Sequence, residues 1–498
     1  MFYFSKSKYR SFCDCPKKVW LQKYKPETIA YSDFALSLMN SGNEVGDLAM
    51  SYFGDFVEVT AFDGERLDLP KMIERTNEEL AKNTPVICEA SFSMDGLYCA
   101  VDILKQENGG YAIYEVKSSI NSTNPRHIDD IAYQKYVLEH CGINVTGTYL
   151  VHINKHYVFD GTLDLQSLFV IEDAAELVAE KLPEVEGNLA AAKELLENEN
   201  EPDIDIGVNC AKAGDCECWA YCARHLPKPS VFDVYRLNAK TKSKLYAQGL
   251  VDFASLEGNS SIKSAIQKRQ IDYALHDRGI YVDKQALLNF LGTLSYPLYF
   301  LDFETFTPAV PIYVGTKPYA QIPFQYSLHY VESEDGEIKH KEFLAQAGEN
   351  PLRPIAEALC RDIPTDACVV VYSQAMERGR LKDLAGYFPD LSDHLLAIHD
   401  NIVDFLVPFR SGWYYKKEMG GSFSVKSVLP ALFPNDPSLD YHNLDGIHHG
   451  GEAMEAFPAM EKMTPEDVAE TRKNLLKYCE LDTLALVKMW QTFKEATK

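Results

Sequence analysis

Hydrophobic and polar positions along this chain follow two different spacings, which predicts a mixture of helices and strands. Apolar residues three or four apart indicate one face of a helix, whereas short alternating or continuous apolar runs indicate strands. In the first 225 residues these spacings predict helices at 7–24, 32–53, 125–140 and 172–198 and strands at 86–94, 98–106, 111–117 and 146–153. Such a mixed order predicts an α/β domain with a small central sheet over residues 1–225.

The rest of the chain predicts a helical segment and then a second α/β domain. Residues 226–295 are mostly helical in pattern, and the stretch LNAKTKSKLYAQGLVDFASL faintly resembles a helix-hairpin-helix element, although a plain helical connector fits equally well. Over 296–498 the pattern predicts strands at 298–304, 324–331, 339–344 and 367–372 and helices at 376–387, 391–406 and 465–494. The expected architecture is therefore α/β, with domains at 1–225 and 296–498 and a helical connector at 226–295.

Composition narrows the class of protein without naming a function. The chain has 498 residues, which predicts two or three domains, and its 46% hydrophobic content is enough for sizeable cores. No run of 18 apolar residues occurs, and the first residues lack the apolar stretch of a signal peptide, so we expect a cytoplasmic protein without membrane contact. The net charge of −24 weighs against broad adhesion to nucleic acid, but metal-dependent nuclease sites are themselves acidic.

Two carboxylates follow an apolar run in the C-terminal domain. Asp302 and Glu304 come directly after the run 296–301, and residues two apart on a strand project from the same face. Far downstream, Tyr478 and Asp482 are four apart on a predicted helix, so they also share a face. Three acids and a phenol gathered in this way suit the hard divalent cations of phosphodiester cleavage. The alternative is an ordinary strand end and an ordinary helix face.

These two motifs resemble the first and last motifs of the DnaQ-like (DEDD) 3′→5′ exonucleases, in the tyrosine variant, which have a ribonuclease-H-like fold. The resemblance implies a third acid between them at the start of a helix, usually an aspartate. This chain offers Glu377 at that place, one methylene longer, with Asp404 as a second candidate. The resemblance also implies that the Tyr478 phenol orients the attacking water and that nucleotides leave from 3′ ends.

A second set of candidate residues lies in the predicted N-terminal sheet. Asp102 belongs to one strand, and Glu115 and Lys117 belong to the next, where their side chains point to the same face. The acids suit Mg²⁺, and the lysine suits polarising a phosphate or positioning the attacking water. Gln134 follows on the helix predicted at 125–140. The alternative for Glu-x-Lys is a surface hairpin with alternating charges.

This order of Asp, then Glu-x-Lys, then a Gln-bearing helix resembles the PD-(D/E)XK nucleases of the RecB type. The resemblance implies a restriction-endonuclease-like fold for 1–225, with Mg²⁺ or Mn²⁺ bound by Asp102 and Glu115. Glu44 lies where many relatives have an upstream helical acid or histidine, and Glu89 is another acid close to the predicted site.

Six cysteines at the two ends of the N-terminal domain compete for four ligand places. Cys13 and Cys15 lie near its start, and Cys210, Cys216, Cys218 and Cys222 close it within thirteen residues. This arrangement resembles the iron–sulfur RecB-type nucleases, including the AddB subunit and CRISPR-associated exonucleases, where four thiolates hold a structural [4Fe–4S] cluster. The favoured ligands are Cys15, Cys210, Cys218 and Cys222, with Cys216 as a replacement for Cys210. Zinc is the rival metal because four thiolates also suit it, whereas disulfides are disfavoured in a reducing cytosol.

Four longer stretches extend the resemblance over nearly the whole chain. YPLYFLDFET, PFQYSLHY, GSFSVKSVLP and LLKYCELDT resemble a bacterial family of unknown function that fuses a RecB-like nuclease region to a ribonuclease-H-like exonuclease region. The resemblance implies a nuclease with nucleic acid as its partner, DNA more than RNA. The alternatives are an inactive nucleic-acid-binding module or a structural subunit of a repair or defence complex. Lys426 is either a phosphate contact or an ordinary surface lysine.

Overall fold

The computed structural model describes residues 3–31, 33–120, 124–208, 210 and 216–498, with the backbone alone over 33–41. The chain divides into two compact units. The first comprises Met1–Asn209, Gly214–Arg224 and Pro308–Ala320, and the second comprises Cys210–Ala213, His225–Thr307 and Gln321–Lys498. The segment 226–295, which the sequence sets apart as a connector, therefore groups with the C-terminal unit, and Pro308–Ala320 groups with the N-terminal one.

Helices and strands of the first unit alternate along the chain, as the sequence predicts for an α/β unit. Its helices are α1 (Lys6–Asp14), α2 (Pro16–Tyr24), α3 (Asp33–Met50), α4 (Leu69–Ala81), α5 (Pro125–His140), α6 (Leu165–Leu168), α7 (Ala175–Glu197) and α8 (Trp219–Cys222). Its strands are β1 (Phe4–Ser5), β2 (Val57–Glu58), β3 (Phe62–Asp63), β4 (Arg66–Leu67), β5 (Val86–Met94), β6 (Leu97–Glu107), β7 (Gly110–Lys117), β8 (Val145–Ile153) and β9 (Phe169–Asp173).

The helix predicted at 7–24 is in fact two helices, α1 and α2, which meet at Cys15. Cys15 has an extended backbone with φ −163° and ψ 110°. Pro16 causes the break, because a proline has no N–H to continue the helix and disfavours helical geometry in the residue before it. The prediction of a helix at 172–198 also missed β9, whose residues precede α7.

The sheet of the first unit is mixed, with strands in the order β2-β5-β6-β7-β8-β9 and β1 beside one end of β6. Strands β5, β6 and β7 form an antiparallel meander, and β8 runs parallel to β7. A parallel pair needs a crossover connection, and α5 provides it. One face packs on α5 and α7 through buried residues such as Val101, Ile131 and Val178, and the other packs on α3 through Val45 and Ile103.

The second unit also mixes helices and strands. Its helices are α9 (Ala239–Ala247), α10 (Phe253–Leu256), α11 (Ala265–His276), α12 (Lys284–Leu291), α13 (Leu352–Asp362), α14 (Ala375–Tyr387), α15 (Ser392–Asp400), α16 (Leu406–Arg410), α17 (Val425–Leu432), α18 (Gly450–Ala459) and α19 (Pro465–Thr497). Its strands are β10 (Ile280–Val282), β11 (Leu298–Phe306), β12 (Ile322–Val331), β13 (Lys339–Leu344), β14 (Cys368–Val371), β15 (Ile402–Asp404) and β16 (Tyr414–Lys416).

The main sheet of the second unit has the order β13-β12-β11-β14-β15. Strand β12 runs antiparallel to both of its neighbours, while β14 is parallel to β11 and β15 is parallel to β14. The helix predicted at 391–406 is wrong in its second half, because the chain leaves α15 and enters β15. Ile402 and Val403 are β-branched and favour the strand, but a three-residue strand is too short to interrupt a helical spacing pattern visibly.

Helix α19 covers the main sheet of the second unit along most of its length. Leu475, Cys479, Leu486 and Phe493 follow one face of the helix and are fully or almost fully buried. Removing a large apolar side chain of this kind from water contributes about 2 kcal/mol. Gln325 of β12 fixes the register by donating a hydrogen bond of 2.8 Å to the Leu475 carbonyl. In the described part of the chain, no helix combines the length and the apolar composition needed to cross a bilayer.

Candidate active sites

The acids Asp302 and Glu304 lie in the middle of the second unit, on the central strand β11. Asp302 pairs with Ser327 of β12, and the ladder register shifts directly after Glu304. Glu304 is only 7% exposed. Helix α18 begins beside it, since a Cβ added to Gly450 would lie 3.8 Å from Glu304 Oε2. The two acids are therefore held by a strand that is itself buried, as the apolar run before them predicts.

Helix α19 brings the second predicted motif to these acids. The Cys479 thiol lies 3.9 Å from Asp302 Oδ2 and 3.8 Å from the Asp302 carbonyl oxygen. Ligand atoms of Asp302, Glu304 and Cys479 lie within 4.8 Å of one another. Asp482, three residues after Cys479, is close enough for its charge to raise the pKa of both acids of β11. The structure thus gathers the two motifs that the sequence predicts to meet.

Burial and mutual repulsion dominate the electrostatics of this cluster. Desolvation, followed by the charge of Asp482, raises the pKa of Asp302 and of Glu304 well above the usual range. Desolvation also raises the pKa of Asp482 from 3.8 to about 7, although Tyr441 and Lys426 oppose this shift. Adjacent buried carboxylates repel one another unless protons or cations neutralise them. The cluster is therefore suited to binding divalent cations.

The two candidates for the middle acid have different surroundings. Glu377, in the first turn of α14, is 2% exposed, and its Oε2 has no hydrogen-bond partner among the described residues. Burial raises its pKa to about 8, and its charge is one of those that raise the pKa of Asp302. Asp404 Oδ1 instead accepts hydrogen bonds of 2.9 Å from the backbone N–H groups of Ser373 and Leu406. Glu377 is therefore available to a cation, while Asp404 holds a turn.

Sequence reasoning missed one phenol at this site. Tyr441 donates a hydrogen bond of 2.6 Å to Asp482 Oδ1, and its ring lies 5.8 Å from that of Tyr478. For Lys426 the sequence left open a phosphate contact or an ordinary surface lysine. Its Nζ lies 5.6 Å from the centroid of the Tyr441 ring and 6.0 Å from that of the Tyr478 ring. Its ammonium donates to the His448 carbonyl at 3.1 Å and lowers the pKa of Glu304 and Asp482. Lys426 therefore faces the acid cluster.

In the first unit, three acids form a row across the meander β5, β6 and β7. The register that pairs Cys88 with Ile103 places Glu89 opposite Asp102. Asp102 directly precedes the end pair of the next ladder, Ile103 with Tyr114, and its Oδ2 accepts a hydrogen bond of 2.6 Å from the N–H of Val116, the residue after Glu115. Glu89 has a left-handed backbone with φ 57°, a conformation that is strained for residues other than glycine. Backbone strain of this kind concentrates at functional sites.

Glu115 is the centre of this second cluster and is fully buried. Lys117 donates to its Oε1 at 2.6 Å, and Gln134 of α5 donates to its Oε2 at 2.5 Å. Lys6, at the start of α1, donates to both oxygens at 2.7 and 2.9 Å and lies 3.7 Å from Asp102 Oδ1. The structure therefore brings the predicted Glu115, Lys117, Gln134 and Asp102 together and adds Lys6, which the sequence pattern did not indicate.

Helix α5 contributes a second residue that sequence reasoning missed. Asp130 lies one turn before Gln134 and accepts from Lys117 at 2.6 Å and from Arg10 at 3.4 Å. Lys117 therefore bridges Asp130 and Glu115, which fixes the position of its ammonium. The i and i+4 spacing of Asp130 and Gln134 was visible in the sequence, but only the fold shows that this helix face meets Lys117.

The pKa values of the acids in the first unit are shifted in opposite directions. Burial opposes ionisation of Glu115, but Lys117 and Lys6 outweigh it and hold the pKa of Glu115 well below its usual range. Burial, and then the charge of Glu115, raise the pKa of Asp102 to about 6. Burial, and then Asp102, raise the pKa of Glu89 to about 8. The predicted upstream acid, Glu44, lies on α3 with an exposed side chain.

Three of the cysteines that close the N-terminal domain lie near one another. Cys218 is buried and packs with Trp20 and Leu21, and Cys216 and Cys222 lie against the same residues. A hydrogen bond with Cys218 is the main cause that lowers the pKa of Cys216 to about 6. No disulfide joins any of the described cysteines.

The two remaining cysteines of the predicted ligand set lie in other segments of the chain. Cys15 lies at the break between α1 and α2, and Cys210 belongs to a segment grouped with the second unit. Within the described ranges, the groups of three ligand atoms that lie mutually within 4.8 Å contain no set of cysteines. Cys216, Cys218 and Cys222 therefore share a neighbourhood, and the described cysteines form no group at the spacing of a metal centre.

Comparisons with known proteins match only parts of the chain. Residues 299–424 match the model of a "Domain of unknown function (DUF2779)", a range that contains Asp302, Glu304, Glu377 and Asp404. The "Uncharacterized protein MG366 homolog" of Mycoplasma pneumoniae is 24% identical over 204 residues, which are 38% of this chain and 31% of that protein. The "Uncharacterized protein MG366" of Mycoplasma genitalium is 24% identical over 205 residues, which are 38% of this chain and 30% of that protein. The chain thus spans less than a third of the length of these relatives, and no solved structure matches it.

Proposed function

We propose that this protein is a metal-dependent nuclease that hydrolyses phosphodiester bonds of nucleic acid, DNA in preference to RNA. The observation that carries the proposal is the acid cluster of the second unit. Asp302, Glu304 and Asp482 come from two elements into one buried place, where desolvation raises the pKa of each. Such a cluster is costly unless cations neutralise it, and divalent cations are what phosphodiester cleavage requires.

At this site the proposed activity is 3′→5′ exonucleolytic. Bound Mg²⁺ or Mn²⁺ supplies charge stabilisation to the reacting phosphate. Asp302, Glu304, Asp482 and Glu377 are the proposed ligands, and all four are carboxylates, the ligand type that these cations prefer. Burial, and then Asp482, raise the pKa of Tyr478 far above its usual range, so its phenol stays protonated and is able to donate a hydrogen bond to the attacking water.

The proposed second site is the RecB-like one of the first unit. Asp102 and Glu115 are the proposed ligands for Mg²⁺ or Mn²⁺, since the Lys6 ammonium lies near both carboxylates, at 3.7 Å from Asp102 and 2.7 Å from Glu115. Lys117 is the proposed group that polarises the phosphate, and Asp130 holds its ammonium in place at 2.6 Å. Gln134 orients the Glu115 carboxylate through its hydrogen bond of 2.5 Å.

The strand orders support both fold assignments. An antiparallel meander followed by a crossover helix and a parallel strand, as in β5-β6-β7-α5-β8, fits a restriction-endonuclease-like core. A sheet ordered β13-β12-β11-β14-β15, in which β12 alone is reversed, fits a ribonuclease-H-like core. Asp302 and Glu304 of the second unit, and Asp102 and Glu115 of the first, lie on central strands of their sheets, whereas Glu377 and Asp482 lie on helices.

For the cysteines we propose a structural [4Fe–4S] cluster, with zinc as the rival. The shared neighbourhood of Cys216, Cys218 and Cys222 and the lowered pKa of Cys216 support a metal-binding role, because the thiolate is the ligand form. The test is the metal content and colour of protein purified anaerobically from iron-sufficient cells. Brown protein that is bleached by Cys222→Ser supports the cluster, whereas stoichiometric zinc without iron contradicts it.

A second candidate function applies to the first unit alone. Both oxygens of Glu115 already accept hydrogen bonds from Lys6, and a metal ion has to displace that ammonium. This observation favours a nucleic-acid-binding unit without cleavage, within a repair or defence complex. Co-purification with partner proteins, together with no cleavage by the first unit, would support it.

The decisive experiment compares cleavage of end-labelled single- and double-stranded DNA and RNA with Mg²⁺ or Mn²⁺. The wild type, Asp302→Ala, Lys117→Ala and the double variant are assayed in parallel. Two active sites predict that each single variant retains part of the activity and that the double variant has none. Cleavage by the double variant at the wild-type rate would refute both assignments, and activity lost entirely in Asp302→Ala would favour the second candidate for the first unit.

A further inference from the structure

A group of side chains that could hold a metal ion lies where β12, β13 and α19 meet. His329 of β12 and His340 of β13 are directly paired across the antiparallel ladder, with ring centroids 4.6 Å apart. Glu480 of α19 reaches the same place. One ring nitrogen of each histidine and a carboxylate oxygen of Glu480 all lie within 4.8 Å of one another.

A network of hydroxyl groups supports both histidines from behind. His329 Nδ1 lies 2.8 Å from Thr483 Oγ1, and His340 Nε2 lies 2.9 Å from Ser327 Oγ. The two hydroxyls are 2.7 Å apart, and Thr483 donates to the Glu480 carbonyl at 3.1 Å. Thr483 and Ser327 are at most 1% exposed, so these contacts are fixed by the core.

One arrangement of protons satisfies every bond in this network. Both histidines donate, His329 to Thr483 and His340 to Ser327, while Ser327 donates to Thr483 and Thr483 donates to the Glu480 carbonyl. Each imidazole then keeps one lone pair, on His329 Nε2 and on His340 Nδ1. Protein metal sites orient their histidines in this way, by a hydrogen bond from the nitrogen that does not bind the metal.

From this geometry we propose that His329, His340 and Glu480 form a binding site for a divalent transition metal, with Zn²⁺ as the best match. Two imidazoles and one carboxylate are a ligand set that zinc uses, whereas Mg²⁺ prefers oxygen ligands only.

The site has a defined place in the unit. It joins β12 and β13 to α19, the helix that carries Tyr478 and Asp482. Glu480 lies between these two residues in sequence but points to the opposite side of the helix, because two positions correspond to about 200° of rotation. A metal at this place therefore restrains α19 without being part of the acid cluster, and the inference does not depend on nuclease activity.

The test uses the full-length chain, stripped of metal by a chelator and titrated with Zn²⁺. Bound zinc and the thermal midpoint are measured for the wild type, His340→Gln and Glu480→Gln. The matched control is His276→Gln, because His276 with Glu257 and Asp272 forms another His-containing group within 4.8 Å that lacks a buried support. We expect His340→Gln and Glu480→Gln each to bind one zinc fewer and to lose the zinc-dependent rise in midpoint, while the control is unchanged.

Cobalt distinguishes this site from the cysteines. Co²⁺ bound by histidine and carboxylate gives visible ligand-field bands, whereas Co²⁺ bound by cysteine also gives thiolate charge-transfer bands. His340→Gln should remove the ligand-field bands of this site and leave any thiolate charge-transfer bands unchanged. Thr483→Val, which removes only the supporting hydroxyl, should weaken zinc binding by about tenfold or more. The proposal is overturned if the wild type and His340→Gln bind the same amount of zinc with the same affinity. It is also overturned if the His276→Gln control loses as much bound zinc as His340→Gln does.

Discussion

Tyr441 donates a hydrogen bond of 2.6 Å to Asp482, although the two residues are 41 positions apart in the chain. The phenol lies in a short turn at Tyr441–Asn443, and the aspartate lies in the middle of α19. The bond fixes the position of Asp482 Oδ1 and therefore the orientation of the whole carboxylate. Tyr441 is therefore a positioning residue for a proposed metal ligand, and its contribution is separable from that of Tyr478.

Tyr441→Phe should lower kcat/KM of the C-terminal site by about tenfold or more, since a hydrogen bond to a charged group contributes about 1.5–3 kcal/mol. The ring is retained, so packing against Tyr478 is kept. The measurement is 3′→5′ cleavage in a Lys117→Ala background. Tyr326→Phe is the matched control, because Tyr326 makes the same bond of 2.6 Å to Asp362 away from the acid cluster. Equal losses of kcat/KM in both variants would show a general effect on stability and contradict the positioning role.

The middle acid is tested by three substitutions. Glu377→Ala should abolish 3′→5′ cleavage, while Glu377→Asp should stay active with an altered preference between Mg²⁺ and Mn²⁺, because it keeps a carboxylate with a shorter reach. Asp404→Ala should instead lower the thermal midpoint, since it leaves the backbone N–H groups of Ser373 and Leu406 without their acceptor. Full activity in Glu377→Ala together with loss in a stably folded Asp404→Ala would reverse the assignment.

Much of the acid cluster in the second unit was predictable from residue spacing, because each pair of its residues is close together in the sequence. Asp302 and Glu304 follow an apolar run on a strand, and Tyr478 and Asp482 have helical spacing, so short-range periodicity is enough to place each pair on one face. Their meeting depends on α19 packing against β11, which spacing does not encode. It followed only from the resemblance to known exonucleases.

Residues outside regular spacing could not be predicted in the same way. Tyr441 lies in a turn without periodicity, and Lys6 is the first residue of a short helix whose apolar spacing continues through Cys15 to Tyr24. The helix break at Pro16 was visible as a residue type, but a proline is also accepted in the first turn of a helix. Long-range contacts such as Lys6 with Glu115, 109 positions away, depend on the complete fold.

In the first unit, Lys6→Ala should lower the Mg²⁺ concentration needed for cleavage. Its ammonium neutralises Glu115 and Asp102, so its removal increases the negative charge available to the cation. Lys117→Ala should abolish cleavage without unfolding the unit. Both are measured in an Asp302→Ala background, with Lys8→Ala on the same helix as control. If Lys6→Ala abolishes cleavage while Lys117→Ala leaves it intact, Lys6 and not Lys117 is the catalytic lysine.

The last prediction concerns the stability of the metal-free protein as pH changes. Asp482 has a pKa raised from 3.8 to about 7 by burial, so between these values the folded state binds a proton that the unfolded state has released. Stability contributed by this group is then complete below about pH 4 and is lost as pH rises through about 7. We expect the thermal midpoint in EDTA to fall between about pH 5 and 8, and Mg²⁺ to raise it more at pH 8 than at pH 5, because only the ionised cluster binds the cation.

Asp482→Asn isolates the cause of that pH dependence. It removes the titrating charge while keeping the shape and an acceptor for Tyr441, so we expect a midpoint in EDTA at pH 8 that is higher than in the wild type by a few degrees, which is about 1 kcal/mol for a unit of this size. Glu495→Gln removes an exposed carboxylate from the same helix and should change nothing. A wild-type midpoint that stays constant over this pH range, or an equal effect of Mg²⁺ on Asp482→Asn and on the wild type, would show that these carboxylates do not form a cation site.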